Sequence, residues 1–161
     1  MKDKKTDFTE TQKFSNKLLW CILSAVLLVS AFLPLKNYYY FSYTTFKDFI
    51  PLLIALSVVL FFAVAKLETR ISEEGIRYRF FPLQRTFRVI WKRDIKSITV
   101  VRYNPLLDYG GWGIRFGRKG WAYNVRGNIG ITVETSSGKR ILLGSQQSEK
   151  ELKAFIEKYY L

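Results

Sequence analysis

Two runs of the chain, Leu18 to Leu35 and Phe49 to Ala65, contain no charged residue. At about 1.5 Å per residue each predicts a helix of roughly 25 to 27 Å, close to the hydrocarbon thickness of a bilayer. No amphipathic stripe interrupts either circumference, which favours two membrane spans over a pair of buried core helices. Pro34 is expected to close the first span, and Pro51 to fall in the first turn of the second, where its missing N–H costs little. Trp20 at one boundary and Tyr38, Tyr39, Tyr40 and Tyr43 in the connection match the aromatic belts of membrane interfaces.

From Leu67 onward the period changes to that of strands. Ile76, Tyr78 and Phe80 alternate with Arg77 and Arg79, and Phe87, Val89 and Trp91 alternate with Arg88 and Ile90. Each run predicts a half-buried strand with a basic outer face. Turn residues at Ser72-Glu73-Glu74-Gly75 and Pro82-Leu83-Gln84-Arg85 make these successive antiparallel hairpins with Glu68 to Ser72. Further strands are expected over Lys96 to Tyr103, Trp112 to Phe116 and Trp121 to Val125, and Ile129 to Thr135 pairs with Lys139 to Leu143 across Ser136-Ser137-Gly138. The total is about seven short strands. Ser148 and Glu151 then form an S-x-x-E capping box, followed by Leu152, Phe155, Ile156, Tyr159 and Tyr160 at helical spacing. This one-sided C-terminal helix should lie over an opening of the preceding sheet, or with its apolar face in the membrane interface.

The pattern divides the chain into a polar basic tail over 1–17, two transmembrane helices within 18–66 (about 18–35 and 49–66) with a short Tyr-rich connection, and a mostly β domain over 67–161. The tail shows no regular pattern. Val29-Ser30-Ala31 resembles a signal-peptide cleavage site, but the 17-residue polar lead and the second span favour a retained anchor. Lys2, Lys4, Lys5, Lys13 and Lys17 precede the first span and Lys66 and Arg70 follow the second, whereas the connection holds only Lys36 and Lys47. The expected protein is therefore a multi-pass cell-membrane protein with both termini and the C-terminal domain cytoplasmic.

Charge sharpens this picture. The 161 residues carry 26 Lys and Arg against 13 Asp and Glu, a net +13 that calls for anionic company. Histidine is absent and Cys21 is the one cysteine, so neither a disulfide nor a Cys/His zinc site can form within one chain. Asp94 and Asp108 show no acid–base spacing and no serine sits in a nucleophile elbow, so no catalytic residue, metal or cofactor is assigned.

The strand-rich segment with its terminal helix, placed directly after two spans, resembles the bacterial pleckstrin-homology-like domains of small membrane proteins. The residues that carry the likeness are Leu67 to Ser72 with Gly75-Ile76, Ile90 to Ile95, Gly110 to Arg115, Gly127-Asn128 and Leu143 to Gln146. The resemblance implies an antiparallel β-barrel or sandwich of about seven strands closed by one C-terminal helix, and a membrane-tethered binding or assembly module that is not an enzyme. Phosphoinositide-binding members carry a basic-x-Arg pair after a first-strand lysine. Arg77-Tyr78-Arg79 supplies the pair here, but the preceding turn is the acidic Glu73-Glu74, so headgroup specificity does not carry over.

Between Gly75 and Asn128 twelve Arg and Lys face only Asp94 and Asp108. Arg77 and Arg79 share one strand face by alternation, and Arg85 and Arg88 lie in or after the adjoining turn. These four are the candidate lipid-binding residues, with anionic phospholipids as partner. A solvated basic exterior explains the same charge. A membrane-protein partner or a second copy of the chain is the alternative occupant. Gly111-Trp112-Gly113 begins like a dinucleotide fingerprint, but Phe116 takes the third glycine's place and no helix pattern follows. The glycines of 110–130 are expected to serve tight turns, with Trp112, Trp121 and Tyr123 packing across short strands. Aromatic and basic residues there would also suit single-stranded nucleic acid, which the membrane anchor argues against.

Overall fold

The computed structural model describes residues 8–41, 45–117 and 119–160. The expectations placed on Lys2, Lys4, Lys5 and Tyr43 fall outside these. The chain forms two compact units, Phe14–Ala65 and a second that unites Met1–Lys13 with Lys66–Leu161.

The first unit is a helical hairpin of α1 (Lys17–Phe41) and α2 (Phe46–Val64). Both helices are long and apolar enough to cross a membrane, with mean hydropathy of 2.5 and 2.2. Only 11% and 6% of these stretches is buried, whereas a core helix is mostly buried. The two prolines depart from expectation. α1 continues through Pro34 and Tyr38–Tyr40, and α2 starts at Phe46, which moves Pro51 into its second turn. Pro34 removes one N–H from a ladder that the apolar residues on either side continue, so it does not end the helix. Ser30 and Ser57 satisfy their own hydroxyls by donating to the carbonyls of Val26 and Leu53, each at 2.8 Å. At the start of α2 the Asp48 carboxylate accepts from the Thr45 N–H at 2.7 Å and from Asn37 Nδ2 of α1 at 2.9 Å.

The second unit is a mostly β domain. One sheet is β1 (Phe8–Lys13), β2 (Lys66–Ser72), β3 (Gly75–Phe81) and β4 (Arg88–Trp91), antiparallel and in that order. The other contains β5 (Ile95–Arg102), β6 (Gly113–Gly117), β7 (Gly120–Asn124), β8 (Ile129–Thr135) and β9 (Arg140–Ser145), in the order β5-β8-β9-β7-β6. Nine strands thus stand among the described residues where about seven were expected, and one pair breaks the antiparallel rule: β7 runs parallel to β9. A short helix, α3 (Pro105–Tyr109), precedes β6, and Asn104 Oδ1 caps it by accepting the N–H groups of Leu106 and Leu107 at 3.1 Å.

The largest departure is β1. The tail expected to lack regular structure forms a full six-residue ladder with β2, from Phe8 opposite Ile71 to Lys13 opposite Lys66. No apolar alternation advertises it, because the side chains it turns inward are mainly polar: Glu10 is 7% exposed and Gln12 1%. Both reach β9 and its end. Gln12 Nε2 donates to the Gly144 carbonyl at 2.6 Å, Ser145 Oγ donates to Glu10 Oε2 and the Gln146 N–H to Glu10 Oε1, both at 2.7 Å. Buried polar groups are tolerated when they are paired in this way.

Leu67, Ile71, Ile76 and Phe80 from one sheet and Tyr123, Ile131, Val133 and Leu143 from the other make up the core. On the opposite face of the five-stranded sheet, Tyr103, Tyr109, Ala122 and Leu142 form a smaller cluster under α3. The last helix, α4 (Glu149–Tyr160), begins at the expected capping box, where the Ser148 N–H and hydroxyl donate to Glu151 Oε2 at 3.1 and 2.7 Å and the Glu151 N–H returns to Ser148 Oγ at 3.3 Å. α4 packs on β5 and β8, while its Phe155 ring lies 5.2 Å from that of Phe8 in β1 and Tyr160 donates to the Ser72 carbonyl at 2.9 Å. It closes one opening between the sheets, with Leu152, Ile156 and Tyr159 buried.

Candidate functional site

Cross-strand partners share a sheet face, so the β1–β4 register sorts every side chain. Lys13 stands opposite Lys66 and Thr9 opposite Arg70, and across the next ladder Lys66 faces Phe81, Glu68 faces Arg79 and Arg70 faces Arg77. Arg77 in turn faces Val89, and Gly75 faces Trp91. The outer face of this sheet is therefore basic with apolar residues between: Val89 and Trp91 are 39% and 42% exposed.

Several interactions hold the arginines in place. Arg70 and Arg77 are like charges directly opposed, an arrangement that costs energy unless it is relieved. Arg77 Nη2 bonds Glu74 Oε2 at 2.9 Å, and the guanidinium groups of Arg70 and Arg79 lie 4.8 and 4.4 Å from the centre of the Phe87 ring. Glu68 accepts from Arg79 Nε and from Lys66 Nζ, the latter at 2.6 Å. Burial pushes the Glu68 carboxyl up, but hydrogen bonds and charge from Arg79 and Lys66 outweigh it and leave the pKa below the usual value.

Of the four arginines singled out in the sequence, Arg77 and Arg79 share the outer face as expected. Arg85 is exposed in the β3–β4 connection, and its carbonyl accepts from Arg79 Nη1 at 3.1 Å. Arg88 does not join them. It stands opposite Tyr78, on the inner face, and its Nη1 donates to the Tyr123 hydroxyl at 3.2 Å. The expected phase of β4 is inverted because Ile90 pairs with Ile76 and enters the core at 6% exposure. A strand with period two must then turn Arg88 inward and Val89 and Trp91 outward.

Arg88 borders a cleft of about 920 Å³ whose walls include Tyr78, Ile90, Trp121, Tyr123 and Lys139. Burial, and next the neighbouring Tyr123, pushes the Tyr78 phenol up to about 12. The glycine-rich segment works as expected of close-packed backbone: a Cβ on Gly120, at φ +100°, would sit 2.3 Å from the Arg140 carbonyl oxygen. Trp121 packs on Phe116 at 5.1 Å and on Tyr123 at 6.5 Å.

Sequence reasoning missed Arg70, Glu68 and Phe87 as parts of the outer face. Folding Lys66–Ser72 back on Gly75–Phe81 across the Glu73-Glu74 turn would have placed Arg70 beside Arg77 and Glu68 beside Arg79. Phe87 lies outside both strands, and the alternation with Val89 and Trp91 assigned it to the core instead. No protein-family model matches the chain, and the comparison with curated proteins finds no match.

Proposed function

We propose that the chain is a multi-pass cell-membrane protein whose β domain is a non-catalytic binding module, pleckstrin-homology-like in architecture, that meets anionic phospholipid headgroups through the outer face of the β1–β4 sheet. The observation that carries this reading is that face itself: Lys66, Arg70, Arg77 and Arg79, interleaved with Phe81, Phe87, Val89 and Trp91, on a sheet whose β1 and β2 lead directly into the two apolar helices. Cations near an anionic surface contribute about 1 kcal/mol each at low screening, and exposed aromatic residues favour the interface. The distribution of lysine and arginine supports a cytoplasmic domain. The architecture is supported by two mainly antiparallel sheets, of four and five strands, with α4 at the end.

The test uses the full chain with Cys21→Ser and a polarity-sensitive fluorophore on Val89→Cys, in nanodiscs of neutral lipid or with increasing phosphatidylglycerol. The emission should shift to the blue with anionic lipid, revert at high salt, and lose the response when Arg70, Arg77 and Arg79 become glutamine. The same label on Thr99→Cys, exposed on the other sheet, serves as control. Emission at Val89→Cys that ignores lipid charge rejects the reading.

A second reading, an assembly subunit that docks another membrane protein, is favoured by a separate observation. Leu107 and Phe116 are large apolar side chains left 86% and 71% exposed on the β domain, which a docked partner would cover. Co-purification of a stoichiometric partner from native membrane would support it.

A further inference from the structure

The five-stranded sheet carries its apolar inner face beyond the sheet that covers it. Val133 stands opposite Ile141, Ile141 beside Trp121, and Trp121 opposite Phe116, so these four share one face in a row that leads out of the core. Exposure rises along the row from 0% at Val133 through 9% and 44% to 71% at Phe116. β4 is the edge of the covering sheet, and the cleft of about 920 Å³ opens between it and β7, a size within the range of small-molecule sites.

Each wall of this cleft joins apolar side chains to one cation. Arg88 enters from β4 and Lys139 from the turn just before β9, and among the described residues neither forms an ion pair. Asp94 is the single acid in the lining, with Arg93 3.9 Å from its carboxylate. The Tyr123 hydroxyl holds the Arg88 guanidinium at 3.2 Å, while the buried Tyr123 ring lies 26° from parallel to the half-exposed Trp121 ring and backs it. An arginine fork matches the oxygens of a phosphate or carboxylate, and the half-exposed Trp121 ring gains by covering a flat apolar group.

We propose that the cleft between β4 and β7 binds a small organic anion, its phosphate or carboxylate held by Arg88 and Lys139 and its planar apolar body laid on Trp121. The site is distinct from the outer face of the β1–β4 sheet, on which Arg77 and Arg79 lie.

The test is equilibrium dialysis of 1-naphthyl phosphate against the full chain in neutral nanodiscs, corrected with empty discs. Saturable binding at one site per chain is expected, with inorganic phosphate and 1-naphthol both much weaker. Arg88→Gln should weaken binding by about tenfold or more, as should Trp121→Ala, while Arg77→Gln leaves it unchanged. Arg88→Lys, which keeps the charge and loses the fork, should fall between, and matching melting curves separate lost binding from lost folding. The proposal fails if wild-type protein shows no saturable binding, if inorganic phosphate binds as tightly as the naphthyl ester, or if Arg88→Gln and Lys139→Gln are both silent. Phosphatidylglycerol in the disc should not compete; competition would transfer the cleft to lipid headgroups and overturn the assignment to a soluble anion.

Discussion

Lys13 and Lys66 face each other as the last pair of the β1–β2 ladder, although all of Phe14–Ala65 lies between them in the chain. The helical hairpin is in effect the loop of a β-hairpin. Replacing Phe14–Ala65 by Asn-Gly, the preferred two-residue turn, should give a soluble β domain that melts cooperatively. A shorter fragment starting at Lys66 lacks Glu10 and Gln12, and it should be markedly less stable or fail to fold. Equal stability of the two fragments by thermal denaturation would show that β1 contributes nothing.

Glu10 and Glu68 should give the excised domain opposite responses to pH. Burial raises the Glu10 carboxyl above its ordinary value of 4.5, against the lowering effect of its hydrogen bonds with Ser145 and Gln146. Its folded form therefore holds the proton better than the unfolded form. That stabilisation is complete below the ordinary value and is lost as pH rises through the raised one. Glu68, lowered by Arg79 and Lys66 despite burial, contributes stability above the ordinary value that is lost as pH falls through the lowered one. Melting temperatures across the acid range should show the advantage of wild type over Glu10→Gln shrinking as pH rises, and that over Glu68→Gln shrinking as pH falls.

The buried face of α4 is a stability element. Ile156→Ala should cost about 2 to 5 kcal/mol, since Ile156 is 3% exposed under the helix. Phe155 is half-buried between Phe8 and Tyr159, and its replacement by alanine should cost less than that of Ile156. Chemical denaturation of the excised domain provides the measurement, and an unchanged midpoint for Ile156→Ala would take that face out of the core.

Topology is tested in cells. A reporter fused after Leu161 should register in the cytoplasm, and in a Cys21→Ser background a cysteine at Thr44 should label from outside. Labelling at the C-terminus with none at Thr44 would invert the proposed orientation.

What the sequence made legible was local. The capping box at Ser148 and Glu151, the turn at Glu73-Glu74 and the hairpin across Ser136 to Gly138 each rest on residues close together in the chain, and each formed where expected. The losses were long-range. β1 is recognisable only once Gly144, Ser145 and Gln146 supply partners for Gln12 and Glu10. The phase of β4 is set by the pairing of Ile90 with Ile76, so a pattern that alternates Phe87, Val89 and Trp91 pointed the wrong way and took Arg88 with it. Pro34 misled for a different reason: in a sufficiently apolar segment, helix continuity outlasts a residue that ends helices in water.

The contacts of Glu10 also impose an order of events on synthesis. Its hydrogen-bond partners Ser145 and Gln146 lie 135 and 136 residues later, so β1 is made first and finds its place last. Both apolar helices are made before β2, which begins at Lys66. The β domain therefore cannot close until β9 has been made, well after both helices of the hairpin.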